Sequence, residues 1–220
     1  GVDFSHSRHF HGENGAARVT LKDGDRVFLG SNRGGVAKEH PFDFTKEDLD
    51  YIKSFQVIYS NTNSYIYDDL SLLEETGIAF DFSTVWDDAL FEQVCPHIKV
   101  ALLSCAHLTP EEREREMKKA ASYGVTLVVG TVGEDGSYAL YDGEIVYAPA
   151  YKAETVLDTM GAGDSYFSTL LTTLLQENGA LFDHDHMIAQ LKHAMDCGAK
   201  FAAKVCSLEG AFGYGTAIID

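Results

Sequence analysis

The sequence has little positive charge. It carries 17 lysines and arginines against 34 aspartates and glutamates, which gives a formal net charge of −17. Such a chain repels polyanions, and no cluster of Lys or Arg offers a footprint for a phosphate backbone. We therefore expect no nucleic-acid partner. The acidic field favours a cationic or zwitterionic small substrate, with a surface kept acidic for solubility as the alternative.

Cysteines are few and long apolar runs are missing. The four cysteines form no C-x-x-C pair and lie in apolar segments, which predicts reduced thiols; they are Cys95, Cys105, Cys197 and Cys206. No apolar run approaches the roughly 20 residues that span a bilayer, and the first residues lack the basic-then-apolar pattern of a signal peptide. We expect a cytoplasmic protein with no membrane contact.

Two common nucleotide-binding motifs are also missing. No G-x-x-x-x-G-K-[ST] loop occurs, and the nearest approach to G-x-G-x-x-G fails because Tyr166 stands where the third glycine belongs. A P-loop enzyme and a dinucleotide-dependent oxidoreductase are therefore both disfavoured.

What the sequence does contain is a regular alternation of helices and strands over 220 residues, the length of one domain. The segments "QVIYS", "IAFDFS", "KVALLS" and "VTLVVGTV" are short apolar strands that follow helical segments. This order predicts an α/β protein with a doubly wound, mostly parallel sheet and helices on both faces. In such a fold ligands bind beyond the carboxyl ends of the strands.

Local signals mark individual helices and turns. Thr45 with Asp48, and Thr109 with Pro110, are typical helix starts, and the segment 64–77 is predicted as a helix that ends at Gly77. One hairpin is expected over residues 16–30 with its turn at Asp23-Gly24. A second is expected at Asp142-Gly143.

The motif "GAGD", Gly161 to Asp164, stands at the start of an apolar helical segment. The first turn of a helix has N–H groups without intrahelical partners, and the helix dipole adds about half a positive charge there. Gly161, Ala162 and Gly163 have little or no side chain, so an anion can approach those N–H groups closely. The pattern predicts an anion site.

An acid beside an anion site needs its own explanation. Asp164 is poorly suited to bind phosphate but well suited to accept the proton of a hydroxyl that attacks a γ-phosphoryl group held there. The alternative is that Asp164 caps the helix and the glycines only form a turn. The first interpretation predicts phosphoryl transfer to an alcohol.

The longer string "DTMGAGDSYFSTLL" resembles the signature of the ribokinase-like carbohydrate kinases, the PfkB family. "VVGTVGEDGSYALYDG" is similar to the nucleotide-side strand and turn of that family, and "AAKVCSLEGAFGYG" to its C-terminal helix and loop. The resemblance covers essentially the whole chain. Within the family, "GVDFSHS", "IAFDFSTVWDD" and "EGAFGYG" are most similar to kinases of fructosamines.

The resemblance implies a ribokinase-like fold and a kinase that uses ATP and Mg²⁺. It implies phosphorylation of the 6-hydroxyl of fructoselysine or a similar fructosamine, with Asp164 as base and the N–H groups of residues 161–163 as anion hole. It further implies a monovalent cation such as K⁺ at Asp158, and a substrate contact at Asp81. The implied nucleotide-binding residues are Thr131, Gly133, Gly136, Gly210 and Gly213, the last two in a loop from Glu209 to Gly215.

Each of these roles has a plainer alternative. Asp158 could be a turn acid that binds the loop backbone, Asp81 could be a capping acid, and the glycines could serve only their turns. Where many relatives carry N-x-x-E near the metal site, this sequence has "SCAH", Ser104 to His107. We therefore expect Mg²⁺ to be held mostly by phosphate and water and assign it no protein ligand.

Family members usually begin with further strands and a sugar-binding loop that precede the segment matching "GVDFS". We therefore expect an N-terminally incomplete kinase domain, either part of a longer chain or a natural short form. The hairpin at 16–30 corresponds to a lid that often pairs with a second subunit, so we expect a homodimer through the lid. The remaining alternatives are a kinase of another sugar or a nucleoside, and a nucleotide-binding module without catalysis.

Overall fold

The structure, a computed structural model, describes residues 3–22, 25–182 and 186–213. Its strands are β1 (Ala17–Lys22), β2 (Asp25–Ser31), β3 (Val57–Asn61), β4 (Gly77–Asp81), β5 (Val100–Ser104), β6 (Leu127–Thr131), β7 (Ser137–Tyr141) and β8 (Glu144–Ala148). Its helices are α1 (Val36–Glu39), α2 (Lys46–Ile52), α3 (Asp88–Val94), α4 (Pro110–Ser122), α5 (Ala162–Asn178), α6 (Met187–Val205) and α7 (Gly210–Gly213).

Strands β3 to β8 form one sheet in which each strand lies beside the next strand of the chain. The first four run parallel, and β7 and β8 follow beside β6 as an antiparallel hairpin. Because β3 to β6 are parallel, their carboxyl ends all lie at one edge of the sheet. The predicted α/β class with a mostly parallel sheet is confirmed.

Both faces of the sheet are covered. On one face Ala79, Leu102 and Val129 pack against buried side chains of α5 and α6, among them Phe167 and Leu191. On the other face the alternate strand residues pack against α3, α4 and a 3₁₀ segment. Successive residues of a strand point to opposite faces, so strands buried on both sides are apolar nearly throughout.

The local signals for caps and turns are confirmed. Thr45 and Asp48 form a reciprocal capping box at the start of α2, and Thr109 and Glu112 form another at the start of α4. The second hairpin turns at Asp142-Gly143, where both residues have positive φ as a two-residue turn of this kind requires. The predicted turn at Asp23-Gly24 lies outside the described residues.

The predicted helix over 64–77 is wrong. The structure has a 3₁₀ helix over Tyr67–Leu73, and Gly77 begins β4 instead of ending a helix. Tyr65 has a φ of 57°, which an α-helix cannot accommodate. Leu70 and Leu73 are both buried, and a repeat of three residues per turn places them on one side. Two aspartates and a serine in the segment also weaken its α-helical preference.

The β1–β2 hairpin forms a two-stranded sheet of its own, with a bulge between Arg18 and Val19. The segment that follows it is tied to the loop after β3, because the Tyr65 hydroxyl donates to the Arg33 carbonyl at 3.0 Å. The base of the hairpin therefore lies at the same edge of the sheet as the carboxyl ends of the parallel strands. Its role as a lid stays a prediction.

Two of the four thiols lie in the core. Cys95 and Cys105 are buried, and burial raises the pKa of both to about 12, which makes them unreactive. Cys197 and Cys206 are free as well but only half-buried. Among the helices of the described residues, none combines the length and the apolar character needed to cross a membrane.

Candidate active site

The site forms where α5 begins. Gly161 precedes the helix at its N-cap position with a φ of 76°, a left-handed conformation that glycine adopts without steric cost. Its side-chain-free backbone leaves the first turn of α5 without any side-chain cap. The first turn is consequently open to a ligand on its N-terminal side.

The N–H groups of the motif differ in how they are used. The N–H of Ala162 donates to the Thr159 carbonyl at 3.2 Å. Within the described part of the chain, the N–H groups of Gly161 and Gly163 have no acceptor. A Cβ added at Gly163 would meet nothing within 4 Å. Gly161 and Gly163 therefore supply the donors that an incoming anion can reach.

Asp164 is the third residue of α5, and it does not cap the helix. Its side chain is exposed, and its Oδ1 accepts a hydrogen bond from the hydroxyl of Tyr59 at 2.9 Å. This contact joins residues 105 positions apart and links the first turn of α5 to β3. The carboxylate is therefore held at the mouth of the cleft rather than folded back onto its own helix.

Asp81 lies at the end of β4 and faces the same cleft. Its Oδ1 accepts from the Ser83 N–H at 2.6 Å, so the acid forms a local turn as one alternative predicts, and its Oδ2 lies 3.3 Å from the Tyr59 hydroxyl. Burial, assisted by the negative charge of Asp164, raises the pKa of Asp81 to about 6. Two carboxylates thus lie next to one phenol.

Tyr59 is the site residue that the sequence did not reveal. Burial and the charges of Asp81 and Asp164 raise the pKa of its hydroxyl, which stays protonated and can always donate. Alternation along β3 does place it on the same face as Val57, toward α5. Its position near the carboxyl end of β3, beside the strand that ends in Asp81, is the signal that could have identified it.

Asp158 joins two loops through hydrogen bonds to its carboxylate. Its Oδ1 accepts from the Met160 N–H at 2.8 Å and its Oδ2 from the Gly210 N–H at 2.9 Å. The side chain is buried at 5% exposure. The acid therefore joins the turn before α5 to the start of α7, as the turn-acid alternative predicts. A cation beside it stays a prediction.

The residues predicted to bind nucleotide fall into two groups. Thr131 ends β6, and Gly133 follows it at an exposed turn with a φ of 58°. Gly136 is buried, and a Cβ there would lie 2.3 Å from the Ala148 carbonyl, so packing alone requires glycine. Gly210 and Gly213 bound the short helix α7, both with positive φ. Gly215 lies outside the described residues.

Over the described ranges, no three His, Cys, Asp or Glu side chains converge in a way that could hold a metal ion. The exposed histidines near the N-terminus, His6, His9 and His11, do not form such a group. The chemistry that the site can perform thus resides in an open helix start, an adjacent carboxylate and the phenol that contacts it.

In open α/β sheets, ligands bind beyond the carboxyl ends of the strands, where helices begin. Many ligand-binding proteins and enzymes share this arrangement. Solved structures share this fold. It matches the ribokinase of Arabidopsis thaliana complexed with ribose and ATP, with a TM-score of 0.70, 17% identity, and coverage of 92% of this chain and 66% of that one. It matches the ribokinase of Giardia lamblia with a TM-score of 0.77, 13% identity, and coverage of 92% and 68%.

Sequence comparison gives the family. The model of the pfkB family of carbohydrate kinases matches residues 1–213, and the chain belongs to that family. It is 32% identical over 216 residues to "Fructosamine kinase FrlD" of Bacillus subtilis (strain 168), covering 97% of this chain and 72% of the relative. It is 35% identical over 176 residues to "Fructoselysine 6-kinase" of Escherichia coli (strain K12), covering 78% and 64%.

The two predicted nucleotide-loop glycines should respond differently to alanine. We expect Gly136→Ala to lower the free energy of unfolding by about 3 kcal/mol or more, because its φ of 97° is also unfavourable for alanine and the new Cβ meets a backbone carbonyl in addition. Gly133→Ala, with open space around it, should cost only about 1–2 kcal/mol for its left-handed φ. Urea denaturation measures both. Equal losses would contradict a packing role for Gly136.

Asp81 should titrate well above an ordinary aspartate. Because its folded pKa of about 6 exceeds the ordinary value of 3.8, the folded state should lose stability as the pH rises from 4 through 6. Asp164→Asn removes a like charge and should lower the pKa of Asp81. Carboxyl ¹³C NMR follows the titration, and Asp142→Asn, in the turn of the second hairpin, is the control. An unchanged titration in Asp164→Asn would contradict the pairing of the two acids.

Proposed function

We propose that the protein is a cytoplasmic ATP-dependent kinase that phosphorylates the 6-hydroxyl of fructoselysine or a similar fructosamine. The observation that carries the proposal is the open start of α5, with an exposed carboxylate at its third position and no side-chain cap. Family membership supports the reaction class, and the names of the two bacterial relatives support the choice of substrate.

The reaction needs a base and a donor set at the transferring group. The substrate oxygen forms a bond to the γ-phosphorus of ATP while its proton moves to the Asp164 carboxylate. The bond from the γ-phosphorus to the bridging oxygen breaks, and its electron pair leaves with ADP. The N–H groups of Gly161 and Gly163 face the charge that develops on the phosphoryl oxygens.

ATP would lie along the carboxyl end of β6 and the loops beside it. Thr131 and Gly133 would contact its phosphates or ribose, and Gly210 and Gly213 its adenine side. Mg²⁺ bound with ATP would neutralise the phosphate charge, and we expect phosphate and water oxygens to supply most of its ligands.

The substrate class agrees with the charge of the site. Fructoselysine carries the α-amino group of lysine and a secondary amine, both cationic near neutral pH. Asp81 and Asp164 lie together at the cleft, in a chain with a net charge of −17. Opposite charges favour capture of such a sugar over a neutral one. Asp81 is the residue that we assign to contact with the substrate.

Two further features belong to the proposal. A monovalent cation such as K⁺ would bind near the carbonyls around Asp158, beside the anion site. A homodimer would form through the hairpin at 16–30, where Val27 and Leu29 are exposed at 40% and 66%. A two-stranded sheet is only marginally stable by itself, so a second copy would stabilise it.

The base role is tested by Asp164→Asn, with Asp142→Asn as a matched control on the second hairpin. ADP release is measured with Mg-ATP and fructoselysine, fructose, ribose, a nucleoside or no acceptor. We expect turnover with fructoselysine to fall about 10²- to 10⁴-fold in Asp164→Asn alone, since a base is lost while the shape is kept. ATP binding, measured by calorimetry, should survive.

Other outcomes of this panel select the alternatives. Preference for ribose, fructose or a nucleoside would make the protein a kinase of another sugar or of a nucleoside. ATP binding without turnover on any acceptor would favour a nucleotide-binding module.

The anion site is tested by Gly163→Ala. A Cβ there meets no protein atom, so the melting temperature should stay the same or rise slightly. A phosphoryl group near the Gly163 N–H would meet the new methyl, and we expect kcat to fall by about tenfold or more, as when one donor to a developing charge is removed. Ser168→Ala, exposed on the same helix, should leave kcat unchanged. Full activity of Gly163→Ala would place the phosphoryl group elsewhere.

A further inference from the structure

Tyr59 contacts the first turn of α5 but has no role in the reaction proposed above. We propose that Tyr59 is a positioning residue that fixes the Asp164 carboxylate by donating its hydroxyl proton to Oδ1, which leaves Oδ2 to accept the proton of the substrate. The proposal rests on the proposed function of Asp164 as base, and it adds the residue that orients that base.

Distances decide which carboxylate receives the proton. A phenol has one proton, and it lies between two acceptors, Asp164 Oδ1 at 2.9 Å and Asp81 Oδ2 at 3.3 Å. Hydrogen bonds between oxygens are commonly 2.5–3.0 Å long, so only the first distance falls in the usual range. The proton therefore goes to Asp164.

The phenol is itself held in place from two sides. The ring of Tyr59 packs edge-on against Phe167, with ring centroids 5.4 Å apart and planes at 83°. Phe167 is fully buried and lies three residues after Asp164, on the same side of α5. The strand β3 supplies the backbone of Tyr59. The hydroxyl thus has a defined position relative to the residue that it contacts.

Such a contact matters because Asp164 is otherwise free to rotate. Its side chain is exposed and caps no N–H group. A carboxylate that rotates presents its accepting oxygen in the right direction for only part of the time. Displacements of about 1 Å at reacting groups can cost a hundredfold in rate, so one hydrogen bond that fixes the carboxylate has a large effect on kcat.

The test is Tyr59→Phe, which removes the hydroxyl and keeps the ring against Phe167. We expect kcat with fructoselysine and Mg-ATP to fall about tenfold to a hundredfold. KM for both substrates should change less than about twofold, because the ground-state contacts stay. A uniform loss of packing would instead raise KM and lower the melting temperature.

Tyr67→Phe is the matched control. Its hydroxyl also donates a hydrogen bond, to the Thr62 carbonyl, but Tyr67 lies in the 3₁₀ segment near Phe80 on the opposite face of the sheet. It should leave kcat unchanged. Equal kinetics for Tyr59→Phe and the parent protein, or a faster Tyr59→Phe, would overturn the proposal, the second by showing that the phenol blocks the base.

A second readout does not depend on activity. Crystal structures of the parent protein and Tyr59→Phe, both without substrate, should show one orientation of the Asp164 carboxylate in the parent and a rotated or divided one in the variant. The same orientation in both would overturn the proposal even if no sugar were phosphorylated. The parent protein could show an ordered Asp164 and no turnover, while Tyr59→Phe shows a disordered Asp164. That result would contradict the proposed function but not the positioning role of Tyr59.

Discussion

The packing of α5 on the sheet is the constraint on which the site depends. Phe167 is fully buried and contacts the ring of Tyr59, so the start of the helix cannot shift along the sheet without opening the core. That packing brings Asp164 to the carboxyl ends of β3 and β4. The chemical groups of the cleft are therefore placed by apolar contacts one turn away from them.

The negative charges of Asp81 and Asp164 at the carboxyl ends of the strands are partly offset by nearby groups. Asp81 and Asp164 both face the cleft, and their mutual repulsion contributes to the raised pKa of Asp81. The helix dipole of α5 favours negative charge at its start, and the protonated phenol gives one carboxylate a hydrogen-bond donor. A cationic substrate would add a further favourable charge, which neither a neutral sugar nor a nucleoside provides.

Features that depend on neighbours in the chain could be predicted from the sequence. The capping boxes at Thr45 and Thr109 and the turn at Asp142-Gly143 follow from residues within three positions of one another. The start of α5 at Ala162 follows from the glycine before it and the apolar spacing after it. The parallel order of β3 to β6 follows from the alternation of helices and strands.

Features that depend on distant residues could not be predicted in this way. The bond from Tyr59 to Asp164 spans 105 positions, and that from Gly210 to Asp158 spans 52. The sequence also does not distinguish the 3₁₀ helix at Tyr67–Leu73 from an α-helix, because its buried leucines, three apart, fit both spacings.

The two glycines of the predicted anion site show why a motif alone leaves its chemistry open. Gly161 is required by the backbone, since its φ of 76° is costly for other residues. Gly163, within α5, has no such requirement in the free protein, since a Cβ there would contact no other group within 4 Å. Helix propensity disfavours glycine at such a position, so Gly163 lowers the stability of the helix, and neither its φ nor its packing requires glycine. The proposed phosphoryl site gives a physical reason for this glycine, since a ligand that approached the Gly163 N–H closely would also lie beside Asp164.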